Sequence, residues 1–244
     1  MPGLLIIAAL EREIAPLVRT WNRETLNTGT NTIAAFRSPH ALAVCAGVGP
    51  AAAARAARAG IAQERPEGVI STGFAGALEP SMVVGTLVRA ATILDAQSGR
   101  SYETGQGKGV LLSVDHVLGS DEKQRLAARH HAQAVDMEAA AVAEVAKQSG
   151  VAFMAVKAIS DEIGFPIPDF GRFTSSDGKL EMGRLLGHAA VRPAMWPVMF
   201  RLWRNTRRAS LELCRELPHL IEKQGKGPFA AVTPGEPQRE LKSH

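Results

Sequence analysis

The stretch AVDMEAAAVAEVAKQSGVAFMAVKAISDE, residues Ala134 to Glu162, decides how the rest of the chain is read. Its first half is a helix built almost wholly from Ala and Val, and its second half is an apolar run that ends in Ser160 and Asp161. An Ala-rich helix can lie close to a sheet, and a continuous apolar run is the pattern of a strand buried on both faces. Two carboxylates break this pattern, Glu138 where the helix starts and Asp161 where the run ends. Each has a structural explanation. Glu138 can complement the helix dipole with Asp136 as N-cap, and Asp161 can cap the turn that follows.

Working outward, apolar runs alternate with helical stretches over about the first 160 residues. Leu4–Leu10 reads as a strand, Glu11–Trp21 begins a helix, and Ala34–Phe36 with Ala41–Ala46 suggests a hairpin. Gly49–Glu64 reads as an Ala-rich helix, and Gly68–Ser71 as a buried strand running into TGFAGAL. Gly85–Asp95 and Gly109–Asp115 read as further strands. Such an alternation, punctuated by Gly, predicts an α/β domain with a central buried sheet flanked by helices. After Asp161 comes a loop rich in Pro and Gly, Phe165–Lys179, then helices over Leu180–Ala190 and about Ala194–Leu217. From Gln224 onward little is left to bury, and the tail is expected to be disordered. The organisation expected is a core domain over 1–190, a basic amphipathic helix within 191–223 and a tail over 224–244.

Composition removes several classes of function. The chain of 244 residues has a net charge of +4 that is not clustered through its main body, so a nucleic-acid partner is not expected. Cys45 and Cys214 are far apart and fit no zinc or disulfide spacing, as in a reduced cytosolic protein. The N-terminal apolar run has no basic residues before it and is too short to span a bilayer. Cytoplasmic localisation is expected.

In open α/β sheets, ligands bind beyond the carboxyl ends of the strands. Glu11 and Glu13 follow the first strand, GVGP (Gly47–Pro50) follows the strand holding Cys45, TGFAG (Thr72–Gly76) follows Gly68–Ser71, and Ser160–Asp161 closes the last run. Their convergence points to one pocket. GVGPAA also fits a loose dinucleotide-binding pattern, but Glu64 and Glu67, the acidic residues at the right distance, do not follow a strand. A tight turn opening a helix at Pro50 accounts for GVGP equally well, as does a set of N–H groups for an anion or a sugar hydroxyl.

The segments AALEREIAPL, GVGPAAAARAA, STGFAGAL, VGTLVRAATILD and the opening stretch occur in an order that resembles the nucleoside phosphorylase superfamily, especially its methylthioadenosine/S-adenosylhomocysteine nucleosidase branch. The resemblance implies a three-layer α/β/α fold with a central mixed, twisted sheet, to which this chain adds a C-terminal helical extension. It also implies roles. Asp161 would protonate N7 of the leaving adenine with Ser160 beside it, Glu138 would hold ribose hydroxyls over Met137, and Glu13 would activate water. Ala75, Gly76, Val117 and Leu118 would border the base. No cofactor is implied, with phosphate a conceivable co-substrate held by Arg55 or Arg89, and relatives are commonly homo-oligomers. The chemistry is sound on its own terms, because carboxylates stabilise an oxocarbenium-like transition state and a buried carboxyl can act as acid near neutral pH.

Two features depart from that pattern. Phe74 stands where a small or hydroxyl residue is usual, and Val117 replaces a ring that stacks on adenine, which weakens packing on the base. Arg192–Leu217 combines Trp196, Phe200 and Trp203 with Arg201, Arg204, Arg207 and Arg208. That helix can pack on the domain or on a partner subunit, or it can lie at an anionic membrane surface. Together these features are similar to the hopanoid-associated branch of the superfamily, which implies adenine release from a lipid-linked adenosine such as adenosylhopane, at the inner face of the cytoplasmic membrane. The alternatives are the ordinary thioadenosine nucleosidase activity and a non-catalytic nucleoside- or lipid-binding protein.

Overall fold

The computed structural model describes residues 3–166, 196–223 and 233–234. At its centre are three strands that are almost wholly buried: β1 (Leu4–Ala8), β5 (Gly68–Ala77) and β11 (Ala152–Asp161). All three are parallel to one another, with β5 between β1 and β11. Burial on both faces is what their unbroken apolar runs require. β4 (Ala41–Cys45) extends the sheet parallel to β1, and β3 (Thr32–Arg37) and β2 (Asn22–Asn27) follow antiparallel.

The far half of the sheet hangs on the end of β5. There β10 (Ala134–Asp136) pairs antiparallel with Gly76–Ala77, followed in order by β9 (Val110–Ser113), β7 (Thr92–Asp95) and β8 (Ser101–Glu103). β5 therefore leaves β1 after Ser71 and joins β10 only at Gly76. The fork between β1 and β10 is the kind of strand-order switch at which α/β sheets bind ligands.

Helices cover both faces. The Ala-rich α2 (Pro50–Glu64) and α4 (Ala139–Gln148) pack against each other and the sheet. On the other face, α1 (Glu11–Val18) packs with a long C-terminal helix, α5 (Trp196–Lys223), which buries Ala209, Leu213, Leu217 and Leu220 against α1, β5 and β11. The architecture is the expected three-layer α/β/α arrangement around a mixed sheet.

Some sequence expectations are corrected. Gly85–Asp95 is two strands, β6 (Leu87–Arg89), which pairs with β11, and β7, so the chain changes neighbours at Ala90–Ala91. The predicted hairpin gains a third strand, β2, whose polar sequence NRETLN suits an exposed edge. A third helix, α3 (Ser120–His130), went unread. α5 runs past Leu217 through Pro218 to Lys223. The tail expected to be disordered contributes a short strand, β12 (Thr233–Pro234), against β8. The helix read over Leu180–Ala190 lies outside the described residues, as does most of the Phe165–Lys179 loop. No described helix is long and apolar enough to cross a membrane.

Candidate active site

The fork opens into a cavity of about 260 Å³. Its floor is Phe74, Ala75 and Gly76 of β5. Leu10 and Glu13 enter from α1, Met137 and Glu138 from the β10–α4 junction, and Ser160 and Asp161 from the end of β11. Val117, Leu118 and Lys123 close one side, and Met199, Leu202 and Thr206 of α5 close another. All nine residues singled out from sequence, Glu13, Ala75, Gly76, Val117, Leu118, Met137, Glu138, Ser160 and Asp161, line this one space.

Glu13 is buried, and its carboxylate accepts hydrogen bonds from the backbone N–H groups of Ala9 at 3.0 Å and Leu10 at 3.2 Å. The Leu10 bond is half of a capping box, so the helix-start role and the placement in the cavity coincide. Burial, with the nearby Glu138 charge, pushes the Glu13 carboxyl up to about 7, while Lys157 and the two N–H donors hold it down. A carboxyl titrating there is poised to act as a general base. Gly73, beneath it, has φ of +130°, and a Cβ at that position would stand 2.7 Å from Glu13 Oε2. Gly73→Ala is therefore expected to destabilise the fold by about 1–3 kcal/mol, measurable as a lower midpoint in urea, and to displace Glu13.

Glu138 is not in the first turn of α4. It is the N-cap residue, its side chain does not cap its own helix, and Oε1 accepts a 2.8 Å hydrogen bond from Gly49 N–H. The anion served by the GVGP turn is thus an internal carboxylate, and Glu64 of the dinucleotide reading is instead bound to Arg37 at 2.9 Å. That reading is overturned. Asp136 does act near the helix start, accepting from Ala139 N–H at 2.9 Å and from Ser113 Oγ at 2.6 Å.

Three buried carboxylates so close together need a counter-charge. Lys157, 1% exposed in the middle of β11, provides it, with Nζ 2.8 Å from Asp136 Oδ2 and donating to Thr72 O at 3.2 Å. Burial works against its ammonium, yet Asp136, Glu138 and Glu13 together leave it raised above the ordinary lysine value. Burial likewise raises Glu138, with Lys157 opposing.

Ser160 and Asp161 are adjacent in a strand and would normally point to opposite faces. The β5–β11 register shifts between Ile159 and Asp161, and this irregularity lets both reach the cavity. Ser160 Oγ donates to Asp161 Oδ1 at 2.6 Å, and Oδ2 pairs with the ammonium of Lys123 from α3.

Sequence reasoning missed Lys157, Lys123 and His116. A lone Lys inside the apolar run FMAVKAIS was the available signal for Lys157, since a buried ammonium must have carboxylate partners. Lys123 was missed along with α3, although Asp121 and Glu122 in its first turn and Arg129 and His130 in its last mark that helix. His116 lies at the rim between Asp115 and Glu122 and is raised chiefly by its hydrogen bond to Asp115. Arg55 and Arg89, considered for phosphate, do not line the cavity. Arg89 pairs with Glu216 of α5, and among the described residues the arginine that does line it is Arg12.

Residues 4–113 and 107–179 match the family model described as "Phosphorylase superfamily". The chain belongs to that superfamily. It is 26% identical over 200 residues to a 5′-methylthioadenosine/S-adenosylhomocysteine nucleosidase of Lysinibacillus sphaericus, covering 66% of this chain and 86% of the relative. Two solved structures share the superfamily fold. The S-adenosylhomocysteine/methylthioadenosine nucleosidase of Neisseria meningitidis has a TM-score of 0.67 at 18% identity, over 91% of this chain and 100% of its own. The futalosine hydrolase of Helicobacter pylori has a TM-score of 0.64 at 17% identity, over 89% and 98%.

Proposed function

We propose that this phosphorylase-superfamily chain is a nucleosidase that cleaves the N-glycosidic bond of an adenine nucleoside with water. The observation that carries the reading is Glu13, a buried carboxyl raised to about 7 that lines the same cavity as an Asp161 held by Ser160 and Lys123. In this reading the ribose lies over Met137 with its hydroxyls on Glu138. Glu13 takes a proton from water as the oxygen approaches C1′. Negative charge around the sugar stabilises the oxocarbenium-like transition state. The purine sits against Ala75, Gly76, Val117 and Leu118, and as the C1′–N9 bond breaks its N7 takes a proton from Asp161. Retention of a base at Glu13 favours hydrolysis over phosphorolysis.

The group on the ribose is proposed to be apolar and long, as in a lipid-linked adenosine. One side of α5 supplies Met199, Leu202 and Thr206 to the cavity, while the same helix exposes Trp196, Phe200 and Trp203. Phe200 stacks with Trp203 at 5.8 Å, and Arg207 lies over Trp203. Exposed aromatics interleaved with arginines suit an anionic lipid surface, and this surface adjoins the side of the cavity that α5 closes. Adenine release from methylthioadenosine and from a lipid-linked adenosine, each with and without phosphate, tests both halves of the reading. Phosphate-independent release with strong preference for the lipid-linked compound is expected. Equal or better use of methylthioadenosine would remove the lipid half.

The same surface gives a separate expectation. Replacing Trp196, Phe200 and Trp203 with Ser should abolish co-sedimentation with vesicles containing anionic lipid and slow turnover of a vesicle-borne substrate. Release from soluble methylthioadenosine should stay unchanged.

A further inference from the structure

The segment Val114–Gly119 carries two residues of the purine side of the cavity, Val117 and Leu118, yet it belongs to no strand or helix. It leaves β9 after Ser113 and enters α3 at Ser120. Its ends are tied by the backbone. Val114 N–H donates to Asp136 O at 2.9 Å, and Gly119 O accepts from Lys123 N–H at 3.0 Å. Between those ties the side-chain link is His116, with Nδ1 2.7 Å from Asp115 Oδ1 and Nε2 3.1 Å from Glu122 Oε1 of α3. Among the described residues, these two carboxylates are the charged groups that act on the ring, one from its own loop and one from the helix beside it. An ionised carboxylate only accepts hydrogen bonds, and a neutral imidazole has one N–H to give. Both links exist together only when the ring is protonated and donates from both nitrogens.

We infer that His116 is a positioning residue for the purine: as an imidazolium it clamps the Val114–Gly119 segment onto α3 and so holds Val117 and Leu118 at the wall of the site. The inference rests on the nucleosidase reading for the identity of the ligand and adds a determinant of how firmly the base is held. The clamp reaches the other part of the purine site as well, because Glu122 is followed directly by Lys123, whose ammonium holds Asp161. His116 exchanges no proton with the substrate and acts through the loop that it fixes. Deprotonation breaks one of its two links. The ring's ionisation is raised above 6.5, chiefly by the Asp115 hydrogen bond, so the clamp is complete below that value and is lost as pH rises through the raised one. The ring is 57% exposed, so each link is weak in water, and losing the clamp should weaken base binding about two- to tenfold rather than abolish it.

The test measures adenine affinity at pH 6 and pH 9, on either side of the ring's ionisation, for wild type, His116→Lys and His116→Gln. A lysine ammonium can meet both carboxylates and stays charged across this range, whereas glutamine is uncharged throughout. Because the ring is more than half exposed, neither substitution removes core packing. Glu13 and Glu138 titrate in all three proteins, so the ratio of variant to wild-type affinity isolates the ring. From pH 6 to pH 9, wild type should lose affinity about two- to tenfold relative to His116→Lys. His116→Gln should be weaker than wild type by a similar factor at pH 6 and close to it at pH 9. In the ligand-free protein, the histidine NMR signal that is missing from His116→Lys should titrate above 6.5 and move down on Glu122→Gln. Affinity ratios that change less than twofold between the two pH values overturn the inference, as does a ring titration that Glu122→Gln leaves in place. If wild type binds no adenine at either pH, the nucleosidase reading fails, and the ring titration still decides whether the clamp exists.

Discussion

Glu13→Gln is expected to lower kcat for base release by about 10²–10⁴-fold, the usual contribution of a positioned general base. The same change should make the protein more stable above neutral pH. Glu13 is raised in the fold from 4.5 to about 7, so between those values the folded protein holds a proton that the unfolded chain has lost, and stability falls as pH rises through this window. Keeping the carboxylate charged in the fold at pH 8 then costs about 3 kcal/mol, an upper figure set by that shift. Glutamine carries no charge and still faces the Ala9 and Leu10 N–H groups with a carbonyl oxygen. Urea unfolding at pH 5 and pH 8 checks the claim, with the variant's advantage expected at pH 8 and absent at pH 5. Wild-type activity should rise with pH through about 7 as Glu13 ionises. A variant that keeps its activity would return Glu13 to a purely capping role.

Lys157→Met is expected to destabilise the protein by about 3–5 kcal/mol, because it leaves buried carboxylates without their counter-ion. Asp136 would keep Ser113 and Ala139 N–H, but no positive charge. Since Lys157 holds the Glu13 carboxyl down, its loss should also move the acid limb of activity to higher pH. The check is the urea midpoint together with the pH profile of any remaining turnover. A change below 1 kcal/mol would mean that the carboxylates find another partner or become neutral at little expense.

These two residues mark how far the sequence could be read. Glu138 was legible because it opens the Ala-rich helix, whereas the short strand Ala134–Asp136 before it was read as part of that helix. Glu13 and Asp161 were legible because each follows an apolar run, and strand ends converge in an α/β sheet. The buried strands β1, β5 and β11 were legible for the same reason, as unbroken apolar runs. β2 and α3 were not, because an edge strand such as NRETLN and a helix burying mainly the stem of Lys123 carry almost no hydrophobic period. The pairings were also hidden. Lys157 with Asp136, Lys123 with Asp161 and Gly49 with Glu138 join residues 21, 38 and 89 positions apart, and only the fold brings them together. The register shift that turns Ser160 and Asp161 into one cavity leaves no mark on either residue.

The most direct measurement is product analysis with methylthioadenosine in phosphate-free buffer, following adenine and free reducing sugar together. Water-driven cleavage of the glycosidic bond predicts that the two appear in equal amounts and that added phosphate changes neither. Adenine that appears only with phosphate, accompanied by a sugar 1-phosphate, would contradict the assignment of Glu13 as the base for water, and no adenine from any adenosine derivative would contradict the nucleosidase reading itself.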